Sequence, residues 1–294
     1  MPTQTLSVNG AHFTYQQAGA PDAPVIVVLH GGRGIGDHRG DFEAFLPLGD
    51  HYRVIAYDQR GCGESSLSPP FTFEQFADDL EAIRLALVGD RPITVLGGSF
   101  GGMIALTYAV KYPASLDHLI LRGTAASHHH EAQALDNFRQ RLHKAPSASI
   151  EMVEKILSDT VIDDTELRLI WLALAPLYRE QFDANLALER TRTMHLHAET
   201  HNALFRHKTY DVRAQLKDIA VPTLVITGEH DWICPPEGSR EIAEGIPGAQ
   251  LWVVEGCNHS VHLERTEDVL ARIRQFLGFD SRLERAKRSP TKST

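Results

Sequence analysis

Six short runs of apolar, mostly β-branched residues recur along the chain and predict the strands of a sheet. The runs are hydrophobic at nearly every position rather than at alternate ones, which is typical of parallel strands buried on both faces. They span residues 24–29, 53–57, 93–96, 119–121, 223–226 and 250–254. Near the start, residues 5–17 alternate in polarity around Asn9-Gly10, a dipeptide that strongly favours a two-residue hairpin turn.

Helical patterns lie between these strands. In residues 73–87 the apolar positions recur at steps of three and four, behind a capping box formed by Thr72 and Gln75. Strands that alternate with amphipathic helices predict an α/β fold with a doubly wound, mostly parallel sheet.

One interval lacks strands and predicts an inserted helical cap. Between residues 121 and 223 only helical patterns occur, at 131–142, 149–157, 165–174 and in one long stretch from about 182 to 205. We expect the cap to cover the carboxyl edge of the sheet, where open α/β sheets bind ligands. The predicted organisation is a core of residues 1–123 and 211–280, a cap of residues 124–210 and a tail of residues 281–294.

Composition and charge exclude some partners. The 294 residues are 43% hydrophobic and 23% charged, and 29 basic against 38 acidic side chains give a net charge of −9. This acidic balance argues against nucleic-acid binding, which favours a basic surface. The tail carries five basic residues and one acidic residue with little apolar content, so we expect it to be disordered.

The cysteines and the N-terminal sequence bear on localisation. Cys62, Cys234 and Cys257 match neither a disulfide framework nor a zinc-ligand spacing. We see no signal peptide and no apolar run approaching the ~18 residues that cross a bilayer. We therefore expect a soluble, cytoplasmic protein without a membrane partner, whose oligomeric state the sequence leaves open.

A candidate nucleophile follows the third of the parallel strands. The strand at 93–96 leads into Gly97-Gly-Ser99-Phe-Gly101 and then into a helical pattern. This is the G-x-S-x-G motif in the strand–turn–helix context of a nucleophile elbow, whose tight turn requires glycines beside the serine. We predict that Ser99 is a catalytic nucleophile.

A serine nucleophile needs a base and an orienting carboxylate, which in this fold class follow in the order serine, acid, histidine. Asp231 follows the strand at 223–226, and His259 follows the strand at 250–254. Each lies where a strand meets the ligand-binding edge, so we predict a Ser99–Asp231–His259 triad. The neighbours Glu229, His230 and His262 are weaker candidates; the pattern after His259 predicts that His262 begins a helix.

The oxyanion of an acyl-transfer reaction needs backbone N–H donors. One candidate is Phe100, which directly follows the nucleophile. The other is Gly32, in the glycine-rich turn His30-Gly-Gly-Arg-Gly34 after the first parallel strand.

Three local motifs resemble the proline iminopeptidase branch of the α/β-hydrolase superfamily. Residues 30–34 are similar to its H-G-G-P-G, residues 58–65 match its D-Q-R-G-C-G-x-S, and residues 97–102 are similar to its G-G-S-W-G. The resemblance extends over most of the chain. It implies an α/β-hydrolase fold with a sheet core, a helical cap between strands six and seven, no cofactor, and release of a small N-terminal residue from a peptide.

The resemblance also implies an amine-binding carboxylate, because cap glutamates of that family bind the substrate's free α-amino group. Glu199-Thr-His201 with Phe205 resembles the family's E-N-H-Y-F segment, so Glu199 is the candidate. The family's second glutamate is matched by Ala175, and Arg33 replaces the family's proline. Half of the expected amine clamp is therefore missing.

Two other functions remain open on the sequence. A carboxylesterase or lactonase acting on small acyl substrates would need no amine clamp, and a non-catalytic ligand-binding protein could retain the fold. A zinc site is disfavoured: His197 and His201 are spaced as in H-E-x-x-H, but Glu199 lies about 200° around the helix from His197. We predict no metal and no cofactor, and expect the partner to be a small molecule or short peptide.

Overall fold

A single eight-stranded sheet organises the part of the chain that the computed structural model describes, residues 1–279. The predicted tail, residues 281–294, lies outside the described residues. The strands are β1 Gln4–Val8, β2 Ala11–Ala18, β3 Val25–Leu29, β4 Arg53–Tyr57, β5 Ile93–Gly98, β6 Leu116–Arg122, β7 Thr223–Gly228 and β8 Gln250–Val254.

The strand order is β1-β2-β4-β3-β5-β6-β7-β8. Strands β3 to β8 are parallel, whereas β1 and β2 form an antiparallel hairpin that pairs antiparallel with β4. The hairpin turns at Asn9 and Gly10, whose φ angles of 48° and 72° are those that a type I′ turn requires. The six apolar runs thus became the parallel strands, and the prediction of a mostly parallel α/β sheet is confirmed.

Eleven α-helices occur in the described residues: α1 Arg39–Phe45, α2 Phe73–Val88, α3 Phe100–Lys111, α4 His130–Arg141, α5 Ile150–Ile156, α6 Asp164–Leu174, α7 Ala184–Thr193, α8 Ala198–Phe205, α9 Pro236–Gly245, α10 Val261–Glu264 and α11 Thr266–Phe276. Helix α2 begins as its capping signal predicts, because the Thr72 hydroxyl accepts a hydrogen bond from the Gln75 amide.

The two faces of the sheet bury separate apolar cores, as the alternation of side chains along β3 illustrates. Val25, Val27 and Leu29 pack into the cluster that includes residues of α2 and α3. Ile26 and Val28 pack into the cluster that includes residues of α1 and α11. Every residue of β3 is therefore buried, which explains why its sequence shows no alternation.

Helices α4 to α8 lie between β6 and β7 in the chain, and α4, α5, α6 and α8 contribute to a third apolar cluster that includes Phe138, Leu167 and Trp232, which follows β7. The expected single helical stretch from 182 to 205 was wrong. Residues between α7 and α8 pair instead with the loop after β3: the Gly36 amide donates to His195 O at 2.9 Å and the His197 amide to Gly34 O at 2.8 Å. These bonds take the backbone groups that a continuous helix would use. The core–cap division itself remains a prediction.

No helix in the described part of the chain is long and apolar enough to cross a membrane.

Candidate active site

Ser99 stands at a strained turn between β5 and α3. Its φ of 53° and ψ of −119° lie outside the regions that non-glycine residues ordinarily occupy. The turn leaves no room for side chains, since a Cβ on Gly97 would lie within 3 Å of Gly101 O and one on Gly101 within 3 Å of Leu29 O. Strained backbone of this kind concentrates at functional sites.

Asp231 and His259 meet at the carboxyl ends of β7 and β8. His259 Nδ1 lies 2.8 Å from Asp231 Oδ2. The other carboxylate oxygen, Oδ1, accepts hydrogen bonds from the amides of Ile233 (3.1 Å) and Cys234 (2.9 Å). Asp231 is 2% and His259 8% exposed, so the carboxylate is fixed by its loop and buried against the imidazole.

The end of β6 connects this pair to Ser99. The Ser99 amide donates to Arg122 O at 2.8 Å, and the next residue, Gly123, has a φ of 49°. A Cβ on Gly123 would lie 2.9 Å from Asp231 Oδ2 and 3.3 Å from His259 Nδ1. One short stretch of backbone therefore contacts both the serine turn and the acid–histidine pair.

The loop after β3 lies beside Ser99. A Cβ on Gly31 would be 3.1 Å from the Ser99 Cβ, and Gly32 adopts a φ of 90° that favours glycine. Gln59 Nε2 donates a hydrogen bond to His30 O at 2.9 Å and so fixes the start of this loop. Phe100 is the first residue of α3, and its N–H therefore has no carbonyl acceptor within the helix.

The rival residues occupy other surroundings. Glu229 and His230 are exposed. His262 belongs to α10, as expected, where it is buried, stacks on Phe45 and lies 3.4 Å from Asp41. Burial lowers the pKa of His262 well below its usual value.

Glu199 is exposed in the first turn of α8. The first turn of this helix packs against the loop after β3, since a Cβ on Gly34 would lie within 3 Å of His201 N. On its buried side, His201 Nδ1 lies 3.1 Å from Arg33 O. His197 Nε2 instead lies 2.9 Å from Gly63 O, so the two histidines do not face a common ligand. The described residues contain no group of three or more potential metal ligands.

Tyr178 covers the histidine from the segment that follows α6. Its ring meets those of His259 and Trp232 edge-on, with centroids 5.6 Å apart in both pairs, and its carbonyl accepts the Ser260 amide at 3.1 Å. The helical segment between β6 and β7 therefore contacts the loop that carries His259.

Three buried groups received no role from the sequence: Arg33, which was noted only as a departure from the family motif, Cys234 and Glu131. Burial and the nearby Asp231 raise the pKa of the Cys234 thiol well above its usual value. The sequence signal for Arg33 was a charged residue within a glycine-rich loop. The spacing of Glu131 and Cys234 gave no such signal.

Comparison with known families identifies the class of protein to which this fold belongs. Residues 24–266 match the family described as alpha/beta hydrolase fold, and the chain belongs to that family. The sheet with its flanking helices, predicted from the apolar runs, is the fold of this family.

Among its relatives, the chain is 47% identical over 275 residues to the proline iminopeptidase PfmaB of Pestalotiopsis fici, an alignment that covers 92% of this chain and 98% of that protein. It is 28% identical to the proline iminopeptidase of Lactobacillus helveticus, covering 87% and 90% of the two chains. The crystal structure of the Mycobacterium smegmatis proline iminopeptidase superposes with a TM-score of 0.72 at 27% identity, covering 94% and 98%. The resemblance predicted from three motifs is confirmed.

Proposed function

We propose that this protein is a serine hydrolase in which Ser99, His259 and Asp231 act as a catalytic triad. The observation that carries the proposal is the 2.8 Å contact between His259 Nδ1 and Asp231 Oδ2, beside a serine in the elbow conformation. With Nδ1–H donated to Asp231, His259 Nε2 is free to take the proton of the Ser99 hydroxyl. Ser99 Oγ then attacks the substrate carbonyl and forms an acyl-enzyme, which water hydrolyses with His259 again acting as base.

The tetrahedral intermediates would be stabilised by the N–H groups of Gly32 and Phe100. The positive φ of Gly32 and the position of Phe100 at the start of α3 support this assignment. A donor at a helix N-terminus also gains from the positive end of the helix dipole.

The substrate is a peptide or amide with a small N-terminal residue such as proline, as the names of the relatives suggest. Its ammonium group would be bound by Glu199. Glu131 is the less suitable carboxylate, since Lys208 Nζ already lies 2.7 Å from its Oε2 and Arg33 Nη1 lies 3.6 Å from its Oε1. An ammonium bound there would meet two cations.

A substrate panel tests this function. Purified protein is assayed with prolyl and alanyl arylamides and with short acyl p-nitrophenyl esters, alongside Ser99→Ala, Glu199→Gln and the control Glu131→Gln. We expect arylamide hydrolysis that Ser99→Ala abolishes, and a KM for arylamides that Glu199→Gln raises more than Glu131→Gln does. A preference for esters without an effect of Glu199→Gln would instead identify a carboxylesterase or lactonase.

A folded protein that turns over neither class would identify a non-catalytic ligand-binding protein. The same proposal includes a small-molecule or short-peptide substrate as partner, no nucleic-acid partner, and a cytoplasmic location. The net charge of −9 supports the absence of a nucleic-acid partner.

A further inference from the structure

Arg33 is buried beside the serine with most of its hydrogen-bonding capacity unused. Its side chain is 10% exposed, its Cζ lies 4.1 Å from the centroid of the Phe205 ring, and its Nη2 lies 3.3 Å from Met103 Sδ. A guanidinium has five N–H donors, and a thioether sulfur is a weak acceptor. The nearest carboxylate oxygen, Glu131 Oε1, is 3.6 Å from Nη1, which is longer than a hydrogen bond.

Glu131 forms an ion pair with Arg33 but no hydrogen bond. Its Oε2 accepts a hydrogen bond from Lys208 Nζ at 2.7 Å, while its Oε1 has no hydrogen-bond partner among the described residues. Arg33, Glu131 and Lys208 together carry one positive charge. A ligand carboxylate would neutralise the cluster, whereas an ammonium would raise its charge to two.

The cluster opens into a cleft of about 140 Å³, whose lining includes Arg33, Glu131, Lys208 and Tyr210. Two further carboxylates line it. Asp211 is paired with Arg213 at 2.6 Å, and Glu74 is exposed. Neither of these acids forms a hydrogen bond or ion pair with Arg33 in the described part of the chain, so the guanidinium has an ion pair with Glu131 but no hydrogen bond to an oxygen acceptor.

This cleft is within reach of a substrate bound at Ser99. Arg33 follows Gly32, the proposed oxyanion donor, and consecutive Cα atoms are about 3.8 Å apart. Arg33 Nη2 lies 3.3 Å from Met103 Sδ, and the Met103 amide donates to Ser99 O at 3.2 Å. A carbonyl group at Ser99 and an anionic group at Arg33 can therefore belong to the same small molecule.

We propose that Arg33 is a specificity-determining residue that binds a carboxylate of the substrate. The proposal rests on the proposed serine hydrolase function and narrows its substrate class. The carboxylate could be the acidic side chain of the N-terminal residue or the free C-terminus of a dipeptide. A charge-assisted hydrogen bond of this kind corresponds to about a 10- to 100-fold preference in kcat/KM.

Matched substrate pairs distinguish the two sources. The first pair is aspartyl and asparaginyl p-nitroanilide, and the second is Pro-Ala and Pro-Ala amide. In at least one pair, we expect the wild-type kcat/KM to be about 10-fold or more higher for the member that carries the carboxylate. Arg33→Met should remove that preference, and it should change kcat/KM for the neutral member less than about threefold. Arg33→Lys should restore part of the preference. Arg139 is exposed, so Arg139→Met is the matched control and should leave kcat/KM for both members unchanged.

A double variant controls for a loss of folding that the charge change in Arg33→Met would cause. Because Arg33→Met leaves Glu131 with one cation, the double variant Arg33→Met/Glu131→Gln is assayed in parallel. Inhibition of the wild type by succinate, compared with succinamide, provides a measurement that needs no variant. The proposal would be overturned if the variants lost kcat/KM equally for both members of each pair, or if succinate and succinamide inhibited the wild type equally.

The outcome also separates this inference from the proposed aminopeptidase function. If arylamides are hydrolysed without any carboxylate preference, the Arg33 inference fails and the function stands. If only esters are hydrolysed, the aminopeptidase function fails, and the same comparison is made with p-nitrophenyl hydrogen succinate and p-nitrophenyl butyrate.

Discussion

Acidification from pH 6.5 towards pH 4 should destabilise the protein because the His201 imidazole is buried in its neutral form. His201 lies on α8, is 1% exposed and contacts Arg33 O through Nδ1 at 3.1 Å. Its Nε2 has no hydrogen-bond partner among the described residues. Burial, reinforced by the charge of Arg33, lowers the pKa of His201 from 6.5 to about 4.

The size and sign of the effect follow from proton linkage. Between pH 6.5 and 4 the unfolded chain binds a proton at this position that the native protein does not, so the free energy of unfolding decreases as the pH falls. At 1.36 kcal/mol per pKa unit, lowering the pKa of His201 from 6.5 to about 4 corresponds to a loss of about 3 kcal/mol below pH 4. Burial also lowers the pKa values of His30 and His262, which act in the same direction.

Urea unfolding of the wild type and of His201→Gln at pH 7, 6, 5 and 4.5 measures this contribution. The Gln side chain can still donate to Arg33 O, but it cannot take up a proton. We expect the free energy of unfolding of His201→Gln to fall less steeply with decreasing pH than that of the wild type. The exposed His143→Gln should retain the wild-type slope. Identical slopes for His201→Gln and the wild type would refute the assignment of a buried neutral imidazole.

Three further substitutions test the site and the fold. Asp231→Asn should lower kcat by about 10³- to 10⁴-fold because the imidazole loses its orienting carboxylate, whereas the exposed Glu229→Gln should change kcat little. Gly97→Ala should reduce the free energy of unfolding by roughly 1–3 kcal/mol in a urea titration, because the added Cβ meets the backbone of α3; Gly40→Ala, where a Cβ meets nothing within 4 Å, should not. Thr72→Ala should cost about 1 kcal/mol through loss of the α2 cap, and an unchanged urea midpoint would contradict that role.

The sheet could be predicted because its strands are buried on both faces, and a short apolar, β-branched run such as residues 24–29 is typical of a strand in that position. The long helical stretch at 182–205 was predicted wrongly for a reason that a local pattern cannot reveal. The break between α7 and α8 depends on backbone hydrogen bonds with Gly34 and Gly36, which are distant in the chain. Periodicity describes one helix face and carries no information about such partners.

The order of Ser99, Asp231 and His259 was predictable because each follows a strand that ends at the same edge of the sheet. The surroundings of the candidate substrate-binding carboxylates were not predictable, since spacing does not determine exposure. Glu199 was selected by its resemblance to a family segment and is exposed, whereas Glu131 gave no signal and is 6% exposed beside Arg33. Arg33 was noticed as a departure from the family motif, but its burial against Phe205 required the structure.

Covalent labelling of Ser99 is the most direct test of the proposed chemistry. A fluorophosphonate probe is incubated with the folded wild type, with Ser99→Ala and with His259→Ala, and the adduct is located by peptide mass spectrometry. We predict one adduct on Ser99 of the wild type, none on Ser99→Ala and strongly slowed labelling of His259→Ala. A folded wild type that is not labelled at Ser99, or that is labelled equally fast without His259, would contradict the proposed triad.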